Sequence, residues 1–259
     1  MTDFVTGEAA GGVLTVTIRR PEKRNALSRP LIAELAGVFT QWRGSQDIAV
    51  AVLTGEGDKA FASGGDLKEL SALRTEADSL GFAEDTRAAL DTIRRFPAPV
   101  VAGLNGDALG GGAELALACD IRMAAPHARI GFLQGRLAIS SAWGGGTDLF
   151  RLVGPSRALL LLATAELLGA KRALELGLVD SVADSDTPFA ASLADFVARL
   201  AARPVQVARA FKSLAMAHRT GASAAEMVAV ETRAFVETWV HDDHWAAAET
   251  AFVRRRGDS

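Results

Sequence analysis

The chain has 259 residues, of which 49% are hydrophobic and 23% charged, and its formal net charge is −3. This composition is typical of an ordinary globular protein and argues against a broad nucleic-acid surface. Cys119 is the single cysteine, so no disulfide can form within the chain, and we expect a buried, inert thiol in a reducing compartment. There is no basic, apolar leader and no apolar run long enough to span a bilayer, so we expect a cytoplasmic protein with no membrane partner.

The first half of the chain alternates predicted strands and helices. Apolar residues alternate with polar ones over residues 14–18, which predicts a half-buried strand, and they recur at helical spacing over residues 31–42. The continuous apolar run at residues 48–53 predicts a strand covered on both faces. The polar, charged residues 73–85 are interpreted as a mobile flap, after which helix resumes to about Phe96.

Beyond residue 155 the pattern is nearly all helical. We place a soft boundary near Pro188, which divides the chain into a core of residues 1–187 and a helical region of residues 188–259. The core should be a layered α/β body. The predicted helices of this second half span residues 158–165, 170–176, 187–201, 205–218, 222–240 and 243–254.

The stretch of residues 99–120 carries the strongest chemical signal. An apolar run at 100–104 predicts a buried strand, three glycines follow at 110–112, and Glu114 then lies just inside a predicted helix. The first-turn N–H groups of a helix lack intrahelical partners and suit an oxyanion, with Glu114 close by as a possible base. The alternative is a glycine-rich turn that allows tight strand–helix packing. Neither G-x-G-x-x-G nor G-K-[ST] is present, which argues against a nucleotide site.

Four stretches together resemble the crotonase superfamily, also called the enoyl-CoA hydratase/isomerase family. They are RRPEKRNALS at residues 19–28, GEGDKAFASGGDLKEL at 55–70, the stretch 99–120, and AWGGGTDLFRLVG at 142–154. The resemblance implies an α/β fold with a crotonase-like ββα spiral core and a C-terminal helical region that drives trimerisation. It also implies an acyl-CoA substrate, with coenzyme A as part of the substrate and no separate cofactor, and a homotrimer or dimer of trimers.

The resemblance also assigns site residues. The backbone N–H groups of Gly65 and Gly111 would polarise the thioester carbonyl, and Glu114 would act as acid and base. The closing helix would reach a neighbouring subunit's coenzyme A. A solvated loop at residues 23–24 and a ligand-free basic tail at 254–256 stay open as alternatives. The positions that match the family's coenzyme A contacts are Lys23, Arg24, Ala26, Leu27, Ser63, Phe252 and Arg255.

One position departs from the family's hydratase pattern. The second catalytic glutamate falls on Gln134, and an amide cannot deliver a proton as a carboxylic acid does. Hydration is therefore weak, or another group such as Asp107 supplies the proton, or the reaction is isomerisation, decarboxylation or thioester hydrolysis. A simple turn role for Asp107, bonded to its own backbone, is the alternative. A binding protein that has lost catalysis also stays open.

The remaining polar residues suggest structural roles. Asp66 is predicted to cap a helix that starts at Leu67, and Asp148 is expected to cap a helix or face solvent. No histidine lies in a recognised catalytic position, and no ligand spacing suggests a metal.

Overall fold

The fold consists of two β-sheets and a series of helices. The structure describes residues 4–257, with side chains as far as residue 250. In this computed structural model the strands are β1 Val5–Ala10, β2 Val13–Ile18, β3 Val50–Gly55, β4 Ala60–Ala62, β5 Val100–Leu104, β6 Asp107–Leu109, β7 Ile121–Ala124, β8 Arg129–Gly131, β9 Leu168–Gly169 and β10 Ser181–Val182. The α-helices are α1 Arg29–Trp42, α2 Leu67–Leu70, α3 Glu76–Arg94, α4 Gly111–Ala118, α5 Gly145–Val153, α6 Pro155–Thr164, α7 Ala170–Glu175, α8 Phe189–Ala201, α9 Val205–Arg219, α10 Ala224–Trp239 and α11 Asp242–Gly257. Two short 3₁₀ helices lie at Pro21–Lys23 and Leu133–Leu137.

The chain winds between the two sheets in repeated ββα units. The larger sheet has the order β1-β2-β3-β5-β7-β10 and the smaller one β4-β6-β8-β9. From β3 to β8, successive strands go to alternate sheets, and helices follow each strand pair. Only the β1–β2 and β8–β9 pairs of the described strands are antiparallel. This is the predicted ββα spiral.

The larger sheet is covered on both faces, as the continuous apolar run of β3 predicts. Leu53 and its neighbours on one face belong to the main core. On the other face, Val50 and Val52 pack with Leu193 and Val197 of α8. A parallel strand buried on both sides needs two apolar covers. The helix that packs on this second face therefore lies after Pro188, the predicted boundary. The boundary itself stays a prediction.

One expectation about secondary structure is wrong. The flap of residues 73–85 is mostly helix, since α3 begins at Glu76 with a Thr75–Asp78 capping box. Its polar sequence reflects an outward-facing first half of the helix. The strands β4 and β6 were not predicted, because each has three residues and is too short to show a period of two. The Asp66 cap is confirmed, because its Oδ1 accepts from the Glu69 N–H at 3.4 Å.

Within residues 4–257, no helix is long and apolar enough to cross a membrane.

Candidate active site

The glycine triplet joins β6 to α4 and has two structural uses. Gly110 has φ +53° and ψ −113°, a conformation that residues with side chains avoid. A side-chain carbon built on Gly111 would lie 2.5 Å from Cη2 of Trp143, and one on Gly112 would lie 2.7 Å from the carbonyl carbon of Ala62. The tight-packing alternative is thus correct for Gly111 and Gly112, which meet protein atoms.

Two backbone N–H groups beside this turn are nevertheless free. The Leu27 N–H donates to the Gly64 carbonyl at 2.8 Å, and the Asp66 N–H donates to the Leu27 carbonyl at 3.0 Å, so the Gly65 N–H between them faces away from that strand. Among the described residues, no acceptor bonds the N–H of Gly65 or of Gly111. A carbon built on Gly64 would lie 3.7 Å from the Gly111 nitrogen, so the two segments adjoin.

Glu114 is buried, with only 2% of its surface exposed, and both of its oxygens are hydrogen-bonded. Oε2 accepts from the N–H groups of Trp143 at 2.9 Å and Gly145 at 3.0 Å. Oε1 accepts from Nε2 of Gln134 at 2.8 Å. Burial raises the pKa of Glu114, while these donors act in the opposite direction. A carboxyl that is held by uncharged donors and whose pKa is raised is suited to gaining and losing a proton.

Gln134 lies beside Glu114, and it is the position that the resemblance assigns to the second catalytic residue. Its side chain is buried, and its Oε1 has no hydrogen-bond partner in the part of the chain that the structure describes. An amide has both a donor and an acceptor end. The Nε2 end bonds the ionised carboxylate, and after rotation of the amide the Oε1 end would accept from the protonated acid. Gln134 can therefore bond Glu114 in either protonation state.

Two arginines hold the loop that carries these donors. Nη2 of Arg87 donates to the Ala142 carbonyl at 2.8 Å, and the N–H of that same peptide unit, on Trp143, donates to Glu114. Nη2 of Arg94 donates to the Trp143 carbonyl at 3.0 Å, and its Nε donates to Asp148 at 2.9 Å. Asp148 is therefore buried and ion-paired, so the expectation of a cap or a solvent-facing carboxylate is wrong.

Asp107, one candidate for a substitute acid, is bound by two cations. Its Oδ2 accepts from Nη2 of Arg24 at 3.0 Å and from Nη2 of Arg129 at 2.6 Å, and its Oδ1 accepts from Nε of Arg129 at 3.0 Å. The simple turn role is therefore wrong. In the hydrogen bonds of residues 4–250, Asp107 and Glu114 share no donor. Nothing in these contacts supports proton delivery by Asp107.

The loop predicted to bind coenzyme A lies next to the free Gly65 N–H. The Ser63 N–H donates to the Arg24 carbonyl at 3.1 Å, and its Oγ lies 3.5 Å from the Lys23 carbonyl. Lys23 and Arg24 are exposed, Ala26 is half-buried and Leu27 is buried. The side chains of the other two predicted contacts, Phe252 and Arg255, lie outside the described residues.

Two further predictions, on the cysteine and on metal binding, concern residues other than those around Glu114. Cys119 is fully buried, and burial raises its thiol pKa to about 12, as expected for an inert thiol. No set of three or more His, Cys, Asp and Glu side chains is arranged to hold a metal ion in the described part of the chain.

Comparison with known proteins identifies the family. The family model described as enoyl-CoA hydratase/isomerase matches residues 8–258. The chain belongs to this family.

Several enoyl-CoA hydratases align along much of the chain. It is 32% identical over 250 residues to the short-chain-enoyl-CoA hydratase of Clostridium acetobutylicum, which covers 96% of this chain and 94% of the relative. It is 35% identical over 207 residues to the (E)-benzylidenesuccinyl-CoA hydratase of Thauera aromatica, covering 79% of this chain and 80% of that one. The crystal structure of enoyl-CoA hydratase from Bacillus anthracis superposes with a TM-score of 0.89 at 30% identity, over 97% of this chain and 96% of that one. The crotonase fold is thereby established.

Sequence reasoning missed two features of this member of the enoyl-CoA hydratase/isomerase family. One is the indole ring of Trp143, which lies against Gly65 and Gly111. Its position directly before the glycine run at 144–146 was a usable signal, since glycines often mark close packing. The other is Arg87, for which the sequence gives no signal, because an exposed helix carries many charged residues.

Proposed function

We propose that the protein is an enoyl-CoA hydratase-type lyase that acts on an acyl-CoA thioester, with Glu114 as acid and base. The observation that carries this proposal is the buried Glu114, which is held only by uncharged donors and lies three residues after Gly111. Among the described residues, no acceptor bonds the N–H of Gly111 or that of Gly65 in the adjoining segment. Relatives in the same family are hydratases, and one aligns over 96% of this chain.

The proposed mechanism uses the two N–H groups as an oxyanion hole. The N–H groups of Gly65 and Gly111 bind the thioester oxygen, and each such donor is worth roughly 3 kcal/mol in a transition state. This polarisation makes the β-carbon electrophilic. Ionised Glu114 takes a proton from water as the water oxygen bonds to the β-carbon, and the electrons of the double bond form an enolate.

Collapse of the enolate completes the reaction. The proton now on Glu114 passes to the α-carbon, so one carboxyl serves first as base and then as acid, and the sum is addition of one water. Gln134 keeps a hydrogen bond to Glu114 throughout, through Nε2 when Glu114 is ionised and through Oε1 when it is protonated.

Coenzyme A is proposed to lie along the loop beside Gly65. Lys23 and Arg24 would bind its phosphates, since both are exposed cations, and Ala26, Leu27 and Ser63 would shape the neighbouring surface. Phe252 and Arg255 would reach the coenzyme A of a neighbour in a homotrimer or a dimer of trimers.

Isomerisation is the second candidate, and Gln134 favours it. Moving a proton from the α-carbon to the γ-carbon of a 3-enoyl thioester needs one acid–base group, and Glu114 alone meets that need. Decarboxylation and thioester hydrolysis would use the same oxyanion site.

The test is incubation of the purified protein with crotonyl-CoA, followed by the loss of enoyl absorbance and by mass spectrometry of the product. Gain of water supports hydration, and a gain of enoyl absorbance at unchanged mass with a 3-enoyl substrate supports isomerisation. Loss of carbon dioxide from a malonyl-type thioester would point to decarboxylation, and release of free coenzyme A would point to thioester hydrolysis. No turnover of short, medium or aromatic enoyl-CoAs, with tight acyl-CoA binding that Glu114→Ala leaves unchanged, would overturn the enzymatic proposal.

A further inference from the structure

The Trp143 indole covers both of the glycines whose N–H groups form the proposed oxyanion hole. Its Cη2 lies 2.5 Å from a carbon built on Gly111 and 3.7 Å from one built on Gly65. Only 7% of Trp143 is exposed. The ring is therefore a fixed, packed surface next to the point where the thioester oxygen would bind.

Two further apolar side chains extend the surface that the Trp143 ring forms. Phe82 of α3 meets the Trp143 ring edge-on, with ring centroids 5.7 Å apart and an interplanar angle of 86°. Cδ1 of Leu70, which ends α2, lies 2.6 Å from a carbon built on Gly65. We call Leu70, Phe82 and Trp143 the apolar wall.

The wall is tied to the acid as well as to the glycines. The main-chain N–H of Trp143 donates to Oε2 of Glu114 at 2.9 Å. The α- and β-carbons of a bound enoyl group must lie between Glu114 and the two glycine N–H groups, because both must act on them. The indole therefore borders the space in which the acyl chain continues.

We propose that Trp143, supported by Phe82 and Leu70, determines acyl selectivity and restricts the enzyme to short acyl chains. This inference rests on the proposed acyl-CoA site. A short chain ends against the ring and gains apolar contact, whereas a longer one must displace a side chain that is packed against Phe82, Gly65 and Gly111. Loss of that packing opposes binding of the longer chain.

The test compares crotonyl-CoA with trans-2-octenoyl-CoA in the full-length protein. We expect the wild type to prefer crotonyl-CoA by about tenfold or more in kcat/KM. Trp143→Ala should reduce that preference by about tenfold, because it opens the space behind the glycines, and Trp143→Phe should give an intermediate ratio. A wild type without chain-length preference, or a Trp143→Ala enzyme that keeps the full preference, would refute the proposal.

Trp42→Ala is the matched control. Trp42 is a half-buried tryptophan of α1 that packs near Gly7, away from the wall. Its loss should lower stability and leave the ratio of the two kcat/KM values unchanged. The amount of folded enzyme affects both kcat/KM values equally, so their ratio separates a change in selectivity from a folding defect. If Trp143→Ala does not fold, the same ratio is measured for Trp143→Phe.

A binding measurement separates this inference from the proposed reaction. Calorimetric titration with butyryl-CoA and octanoyl-CoA needs no chemistry. If no enoyl-CoA is turned over but Trp143→Ala shifts the ratio of the two Kd values toward octanoyl-CoA by about tenfold, the reaction is wrong and the wall stands. If turnover occurs but neither ratio moves, the wall is wrong and the reaction stands.

Discussion

Two buried carboxylates lie seven residues apart, yet one has charged donors around it and the other has uncharged donors. Asp107 is 5% exposed and Glu114 is 2% exposed. Asp107 is bound by the guanidinium groups of Arg24 and Arg129, whereas Glu114 is bound by two backbone N–H groups and one amide. The two carboxylates are therefore alike in burial and differ in the charge of their hydrogen-bond donors. The charged donors hold Asp107 in ion pairs, while the uncharged donors of Glu114 leave that carboxyl able to change its protonation state.

The largest expected effect tests this contrast directly. Glu114→Gln should lower kcat about 10³-fold, because the amide keeps the size of the side chain but cannot take or give the proton. Steady-state kinetics with crotonyl-CoA measure the effect, and a melting curve shows whether the variant is folded. A folded variant with more than about a tenth of the wild-type kcat would show that Glu114 is not the acid and base.

A smaller effect is expected at Gln134. Gln134→Met keeps the length of the side chain but removes the Nε2 donor, so we expect about a tenfold fall in kcat/KM. The Gln134 hydrogen bond opposes the rise in the pKa of Glu114, so its loss should move the acidic limb of the pH profile to higher pH. Gln41→Met, on the exposed face of α1, is the control. An unmoved acidic limb would mean that Gln134 does not tune Glu114.

The pH dependence of stability should carry the same signature. Burial raises the pKa of Glu114 in the folded state, so the native protein binds this proton more tightly than the unfolded chain does. Between the ordinary glutamate pKa and the raised one, the free energy of unfolding should fall as pH rises, by about 1.4 kcal/mol for each pH unit of that interval. Urea unfolding from pH 4 to pH 8 should show this loss in the wild type and not in Glu114→Gln. Parallel curves for the two proteins would contradict it.

The smallest effect on activity is expected at Asp107. Asp107→Asn should leave kcat within about threefold of the wild type while it lowers stability by about 1–2 kcal/mol, since its two arginine partners are half exposed and their ion pairs are screened. Kinetics and urea unfolding measure both quantities. A hundredfold loss of kcat in a stable variant would make Asp107 the second acid and end the contrast with Glu114.

Sequence predicted the parts of the site that depend on neighbouring residues. The strand, the glycines and Glu114 lie within one short stretch, so their order along the chain sets their order in space. The resemblance, counted back from Trp143, assigned Gln134 to the second catalytic position, and the structure puts this residue beside Glu114. The resemblance supplied the pairing of Gly65 with Gly111, which no local pattern contains.

The missed features depend on contacts between separate repeats. Arg24 and Arg129 reach Asp107 from positions 83 and 22 residues away, so no local pattern marks them as its partners. The first half of α3 was misjudged because a helix with an exposed outer face has a polar sequence much like that of a loop. The ring of Trp143 was missed because its direction depends on how α3 and α4 pack around it.

One consequence follows from the double use of residue 143. Its backbone N–H belongs to the proton-transfer machinery and its ring belongs to the surface that a substrate meets. A poorly fitting thioester that displaces Trp143 outward would also weaken the hydrogen bond from the Trp143 N–H to the Glu114 carboxylate. Such a molecule would bind and then react slowly, so discrimination among substrates would be expressed in turnover as well as in affinity.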